Sequence, residues 1–401
     1  MSNHHICLPF DSEAHYAACL NDLAQFRQFL VAQFAAHPEL FPKAFAQGFQ
    51  FHSHYRLKKL QLDVRRIKLQ ATGAVFAIRP SFVLPYGIAR TDDLEKALYL
   101  RQYGVPFEAL SYVFGGSASF WQRAWLQLGR PALLGTTVKD PAKLPRHLIA
   151  DEKVTWLDGQ EVYVTTTAAA GCFLGVGLAG ETTAEALLSG YGEFKQEAHE
   201  LDAEYTPETV CTDGFKATRL AWQQLFPQVC LILCFLHGVL KISERCRGPL
   251  RRQVLDRVWN CYQATTRQQF SQRLRRVGEW AVAKLSGAVQ EMTLKLYQQR
   301  RKYVLAYEQG GCARTTNGVD RLMNHQDRVL YAMRYLHGQG EKAHLAVRAM
   351  ALQWNFHPYG RRVRRADPKR QSPFADMNGF QYHGNWLHNF LIAASLGGHK
   401  L

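Results

Sequence analysis

The chain has 401 residues, with 49 Lys+Arg against 33 Asp+Glu and a formal charge of +16. Its 47% hydrophobic and 20% charged residues describe a folded protein of two or three domains and exclude a disordered chain. No apolar run reaches the ~18 residues of a membrane span; the nearest, 168–180, is short and broken by glycine.

Met1–Phe10 has no cationic start followed by an apolar stretch, so a secretory signal is not expected. Nine cysteines, scattered through apolar surroundings, read as buried thiols of a reducing compartment rather than a disulfide framework. A cytoplasmic, nucleoid-associated protein with no membrane partner is the expectation. A basic surplus of this size points to a polyanion, with nucleic acid first.

Residues 11–55 read as amphipathic helix with a break near His37-Pro38, in an N-terminal helical region spanning 1–62. The period then changes. Val64–Leu69 and Ala74–Arg79 flank Ala71-Thr72-Gly73, which predicts a β-hairpin and connector over 63–90. Lys58, Lys59, Arg65, Arg66 and Lys68 form a basic cluster there.

Three short helices follow over 91–130. The first is capped by Thr91 and ends near Gly104, the second covers Pro106–Phe114, and the third covers Ala118–Leu128 with Ser117 as its cap. This is a helix-turn-helix layout, with Arg123 on the open face of the last helix.

Residues 145–237 alternate strand and helix. His147–Ala150 and Val154–Leu157 surround Asp151, and Glu161–Thr167 and Cys172–Leu178 are β-rich. Thr182 caps a helix to about Glu200; a strand at Thr209–Thr212, a helix through Leu225 and a strand at Val229–Cys234 follow. Together they predict an α/β unit with a mixed sheet.

From Gly238 to Gly310, fifteen Lys/Arg stand against five acids, so this one stretch holds ten of the sixteen surplus charges. Apolar residues at helical spacing make it a basic helical insertion, 238–311, with Arg251, Arg252, Arg275 and Arg276 as candidate DNA contacts. The last core helices occupy 312–360. Residues 361–401 read as an extended basic arm (Arg361, Arg362, Arg364 and Arg365) and a tail.

Asp151 and Asp213 each sit in or at the end of an apolar strand, where a charge is costly without a partner. Carboxylates on neighbouring strands suit a hard divalent cation; Asp213-Gly214 also reads as a simple turn, and Asp151 as a cap. Glu152 would point to the opposite face of an extended strand.

Thr212-Asp213-Gly214, Cys234-Phe235-Leu236-His237 and Thr315-Thr316-Asn317-Gly318-Val319-Asp320, in that order, resemble the transposase core of the Mutator-like group of bacterial insertion sequences. The resemblance covers roughly 90–400 by layout. It implies a ribonuclease-H-like mixed sheet, interrupted by an all-helical insertion and preceded by the helix-turn-helix and hairpin region.

The resemblance further implies catalytic, metal-holding Asp151, Asp213 and Asp320, with Cys234, His237 and Asn317 as auxiliary residues. Mg²⁺ or Mn²⁺ would be the cofactor, and double-stranded DNA (element ends and target) the partner, held by a dimer or larger assembly. Strand cleavage and strand transfer would be the activity. The family's third acid is most often Glu; here it is Asp320, with Asp327 and Glu308 as competitors. That departure supports the alternative of a catalytically silent DNA-binding relative; a metal-dependent nuclease that cuts without joining is the other.

Cys234-x-x-His237 supplies only two of the four ligands a structural zinc site takes, so zinc is not expected, although Cys230 and Cys246 are available. Trp259 and Trp280 among arginines read as helix core before base-stacking surfaces.

Overall fold

The computed structural model describes residues 4–85 and 89–400. The N-terminal unit begins with strand β1 (His5–Leu8), helices α1 (Glu13–Asn21) and α2 (Leu23–Ala36), and strands β2 (Phe49–Leu57), β3 (Leu62–Leu69) and β4 (Val75–Pro80). The hairpin is present, with Lys68 opposite Val75. The helical expectation for 11–55 is corrected beyond Ala36. Pro38 and Pro42 interrupt the helix, and 49–57 alternates buried and exposed residues as strand β2. β1 closes a mixed sheet of order β1-β4-β3-β2 by pairing parallel to β4.

Three helices follow: α3 (Thr91–Arg101), α4 (Phe107–Phe114) and α5 (Ala118–Gln127). Ser117 Oγ accepts from Phe120 N, as expected of a cap. Thr91 is not the cap of α3: Arg90 holds that position, and Thr91 Oγ1 donates to Ser81 O (2.7 Å). Trp121, Ala124 and Trp125 bury the inner face of α5 against the core, leaving Arg123 exposed. The short helix α6 (Leu133–Thr137) then leads into the larger sheet.

That sheet contains β5 (His147–Leu157), β6 (Gln160–Ala169), β7 (Cys172–Ala179), β8 (Thr209–Thr212) and β9 (Cys230–Leu233), in the order β7-β6-β5-β8-β9. The first three are antiparallel neighbours, and β8 and β9 add parallel to β5. The two runs expected around Asp151 are one strand, because the ladder to β6 continues without a break from Ile149 to Leu157. Helices α7 (Ala184–Leu201, capped by Thr183 rather than Thr182) and α8 (Lys216–Leu225) cover one face.

The insertion comprises α9 (Phe235–Ser243), α10 (Gly248–Tyr262), α11 (Arg267–Lys284), α12 (Gly287–Gln298) and α13 (Arg300–Val304) around its own apolar core. Trp259 and Trp280 are half-buried against that core, with the Arg257 guanidinium 4.6 Å from the Trp280 ring. Helices α14 (Asn317–Ala332) and α15 (Gly340–Phe356) cover the other sheet face.

The C-terminal expectation of an extended arm and a tail is corrected. Arg361–Ala366 is a short helix, α16, whose four arginines are exposed on the surface. Helices α17 (Pro373–Asn378) and α18 (Trp386–Ala393) then return into the molecule. Every residue of α18 is buried, because its apolar run fills the space between α3, α15 and β1. Ser395 fastens it there: its Oγ donates to Leu40 O (2.7 Å) and accepts from Cys7 N (3.1 Å). Among the described residues, no helix is long and apolar enough to cross a membrane.

On the edge strand β7, one side chain pairs the backbone of Phe173. Asn355 Nδ2 donates to Phe173 O (2.7 Å) and Thr137 Oγ1 (2.8 Å), while its Oδ1 accepts from Phe173 N (2.8 Å). Asn355→Ala leaves these buried groups unpaired and is expected to cost about 2–3 kcal/mol, read as a lower urea midpoint at an unchanged denaturant slope.

Candidate active site

Register brings the first two acids together. β5 and β8 are parallel neighbours with Ile149 opposite Cys211, so two residues further on Asp213 stands level with Asp151. One strand spacing, ~4.8 Å, separates the two backbones. Asp213 begins the turn into α8: its Oδ1 accepts from Phe215 N (2.8 Å). Gly214 follows at φ +91, and a side chain there would run into Leu233.

Side chains alternate along β5. Ile149 packs against Gly318 and Lys153 Nζ pairs with Asp327 (2.7 Å), both partners being on α14. Asp151, between them in the same alternation, therefore faces α14. Glu152 faces the other way, toward α7 and α8. Its Oε1 accepts from Tyr191 Oη (2.8 Å) and Thr218 Oγ1 (2.6 Å).

Asp320 lies in the first turn of α14 and is half-buried; among the described residues its carboxylate makes no hydrogen bond or ion pair. Both competitors are engaged elsewhere. Asp327 is held by Lys153, and Glu308 by Arg267 at 2.8 Å.

Cys234 positions that helix. Its backbone N donates to Thr212 O (2.7 Å), and its Sγ accepts from Thr316 N (3.2 Å) and contacts Thr316 Oγ1 (3.4 Å). Phe235 N also donates to Arg314 O (3.0 Å), so the end of β9 is tied twice to the segment opening α14. A hydrogen bond from the Cys211 thiol, with others from His237 and Thr316, holds the Cys234 thiol well below the usual range.

His237, one turn into α9, is raised by Cys234 first and then by Asp151 and Asp213. Its positive form in turn lowers Asp151 and Asp320. His237 thus lies within the electrostatic reach of all three acids, and its Nδ1 is buried without a well-aligned partner. Asn317 opens α14 and is exposed.

Burial, and then Glu152 and Asp213, push the Asp151 carboxyl up to about 7. Asp320 is raised by burial and by Cys234. Hard anionic oxygens crowded in this way fit Mg²⁺ or Mn²⁺, which would relieve their repulsion. Among the described residues no three His, Cys, Asp or Glu side chains are already gathered at ligand spacing. Cys230 and Cys246 lie in separate apolar clusters.

The cations nearest this site differ from those singled out in the sequence. Arg251, Arg252, Arg275 and Arg276 are exposed on α10 and α11. Arg251 Nε donates to Ser243 Oγ (3.0 Å), Arg252 faces Asp256 (3.9 Å) and Arg275 pairs with Glu279 (2.8 Å). None of the four lines the 410 Å³ cavity beside Asp213 and His237. Lys216, Arg219, Lys241, Lys295 and Lys302 do.

Glu152 is the acid that sequence reasoning set aside. The face assignment was right, yet its charge still raises Asp151, and Glu152 is itself raised, by burial first. The adjacent Asp151-Glu152 pair was the available signal.

No protein-family model matches the chain, and no curated protein is similar to it in sequence.

Because Asp151 holds its proton to about pH 7 when folded and only to about 3.8 when unfolded, its contribution is most favourable below pH 4. It is lost as pH rises to 7, at a cost on the order of 4 kcal/mol above that. Asp151→Asn is therefore expected to raise the melting temperature at pH 8 in EDTA and to leave it nearly unchanged at pH 4. A variant less stable than the parent at pH 8 would contradict this.

Proposed function

We propose that the protein is a DNA transposase of the acidic-triad type, with Asp151, Asp213 and Asp320 as the triad. The observation that carries this reading is the level placement of Asp151 and Asp213 on adjacent parallel strands, with Asp320 on the helix packed against the same face. The sheet order β7-β6-β5-β8-β9, three antiparallel strands followed by two parallel ones, supports a ribonuclease-H-like core. The all-helical insertion between the second and third acids supports the same family resemblance.

On this reading Asp151, Asp213 and Asp320 hold divalent cations. Bound there, two such ions supply activation of the attacking oxygen and stabilisation of the leaving 3′ oxygen in an in-line phosphodiester displacement. Cys234 and Thr316 act by position, fixing the third acid against the sheet. His237 keeps positive charge among the carboxylates, and Glu152 is held back by Tyr191 and Thr218. The exposed arginines of α10, α11 and α16, with Arg123 on α5, track DNA phosphates outside the site. Joining two element ends requires at least two copies on DNA.

Asp151→Ala and Asp213→Ala should each abolish Mg²⁺- or Mn²⁺-dependent cleavage of an element-end duplex, with end binding reduced less than threefold. Asp320→Asn should lose cleavage as fully, whereas Asp327→Asn should keep it within about tenfold. Cleavage surviving in the Asp151 or Asp213 variant defeats the triad assignment. A parent protein inactive with both metals would identify a binding-only relative, and cutting without joined product would identify a nuclease.

A further inference from the structure

The cavity beside Asp213 has a composition that the triad does not require. Five cations border it from three separated stretches: Lys216 and Arg219 on α8, Lys241 on α9, and Lys295 and Lys302 on α12 and α13. Among the described residues none of the five makes an ion pair or a side-chain hydrogen bond, and Asp213 is the only acid on the wall. Unpaired positive charge of this density, bordering a solvent-open cavity of 410 Å³, marks a site for an anion.

The floor is apolar. Leu233, Met292, Leu296 and Tyr303 line it. Tyr303 is only 4% exposed, and its hydroxyl makes no hydrogen bond among the described residues. Gly238 lets this wall close, since a Cβ there would stand 2.7 Å from Leu296 Cδ1 and 3.0 Å from Tyr303 Oη. At the mouth stands Phe215, an aromatic ring 44% exposed, two residues from Asp213. A flat hydrophobic face beside a ring of cations combines the two requirements of an unpaired nucleotide, stacking for the base and positive charge for its phosphates.

We infer that this cavity binds one unpaired, phosphate-bearing nucleotide, with its base against Phe215 and the apolar floor and its phosphates among the five cations. The same chemistry is offered by the unpaired end of a DNA strand and by a free nucleotide. Adjacency to Asp213 favours the strand end, and that choice of source rests on the proposed DNA chemistry; the binding itself does not.

The test uses the full chain in EDTA, so that no cleavage intervenes. Fluorescence anisotropy compares a blunt 20-base-pair hairpin duplex with the same duplex bearing three unpaired thymidines, and calorimetry measures thymidine 5′-monophosphate alone. The parent protein should prefer the tailed duplex about tenfold, within the range of one stacked base. Phe215→Ala, an exposed position whose truncation leaves the core intact, should bring that preference below twofold. Lys295→Glu/Lys302→Glu should do the same, with unchanged thermal melting.

Arg276→Glu, outside the cavity, should weaken both duplexes equally. Monophosphate binding that is lost in Phe215→Ala, without any tail preference, would support the free nucleotide as the source. Equal affinity for blunt and tailed duplexes together with no monophosphate binding overturns the inference, as does a preference that survives in Phe215→Ala. Asp151→Asn should retain the tail preference, so loss of the triad assignment and loss of this site would be told apart.

Discussion

Like charges packed close together inside a protein constrain everything built around them. Asp151, Glu152 and Asp213 lie within a few residues of two adjacent strands, and burial plus mutual repulsion leaves Asp151 half-protonated near neutral pH. Such an arrangement is unstable by itself, and the surrounding structure answers it in several ways. Glu152 is turned to the far face and capped by two hydroxyls. Asp213 is partly satisfied by a backbone N–H. His237 is drawn toward its charged form. Asp320 enters the same field on a helix whose start is tied to Cys234.

The helix that carries Asp320 is held to the sheet at its start. The helix is fixed by a sulfur contact at Thr316 and a backbone bond at Arg314, both within six residues of Asp320. Asp327 and Glu308, on either side of it in sequence, are paired with Lys153 and Arg267.

Legibility in the sequence followed physical range. The strands at 160–179 and 209–212 are runs of apolar and β-branched residues, and the helix at 184–201 opens on a threonine cap, so these elements are readable from local sequence within a few residues. Asp151 and Asp213 stand out in the sequence because charge in or at the end of an apolar strand is anomalous. β1 does not, since four residues paired parallel to a distant strand carry no local period. α18 read as a tail because burial of its apolar run depends on α3, α15 and β1 arriving from elsewhere. The cavity cations were hidden for the same reason: segments 216–219, 241 and 295–302 are far apart in sequence and border one cavity only in the folded chain.

The bond between Cys7 and Ser395 spans 388 positions, and α18 fills a core that β1, α3 and the 38–45 segment begin. A chain emerging from the ribosome therefore carries its first strand without its final cover until α18 has been made. Contacts of such long separation are slow to form and leave apolar surface exposed in the interval. A product that stops short of α18 therefore leaves β1 and α3 without the helix that buries them.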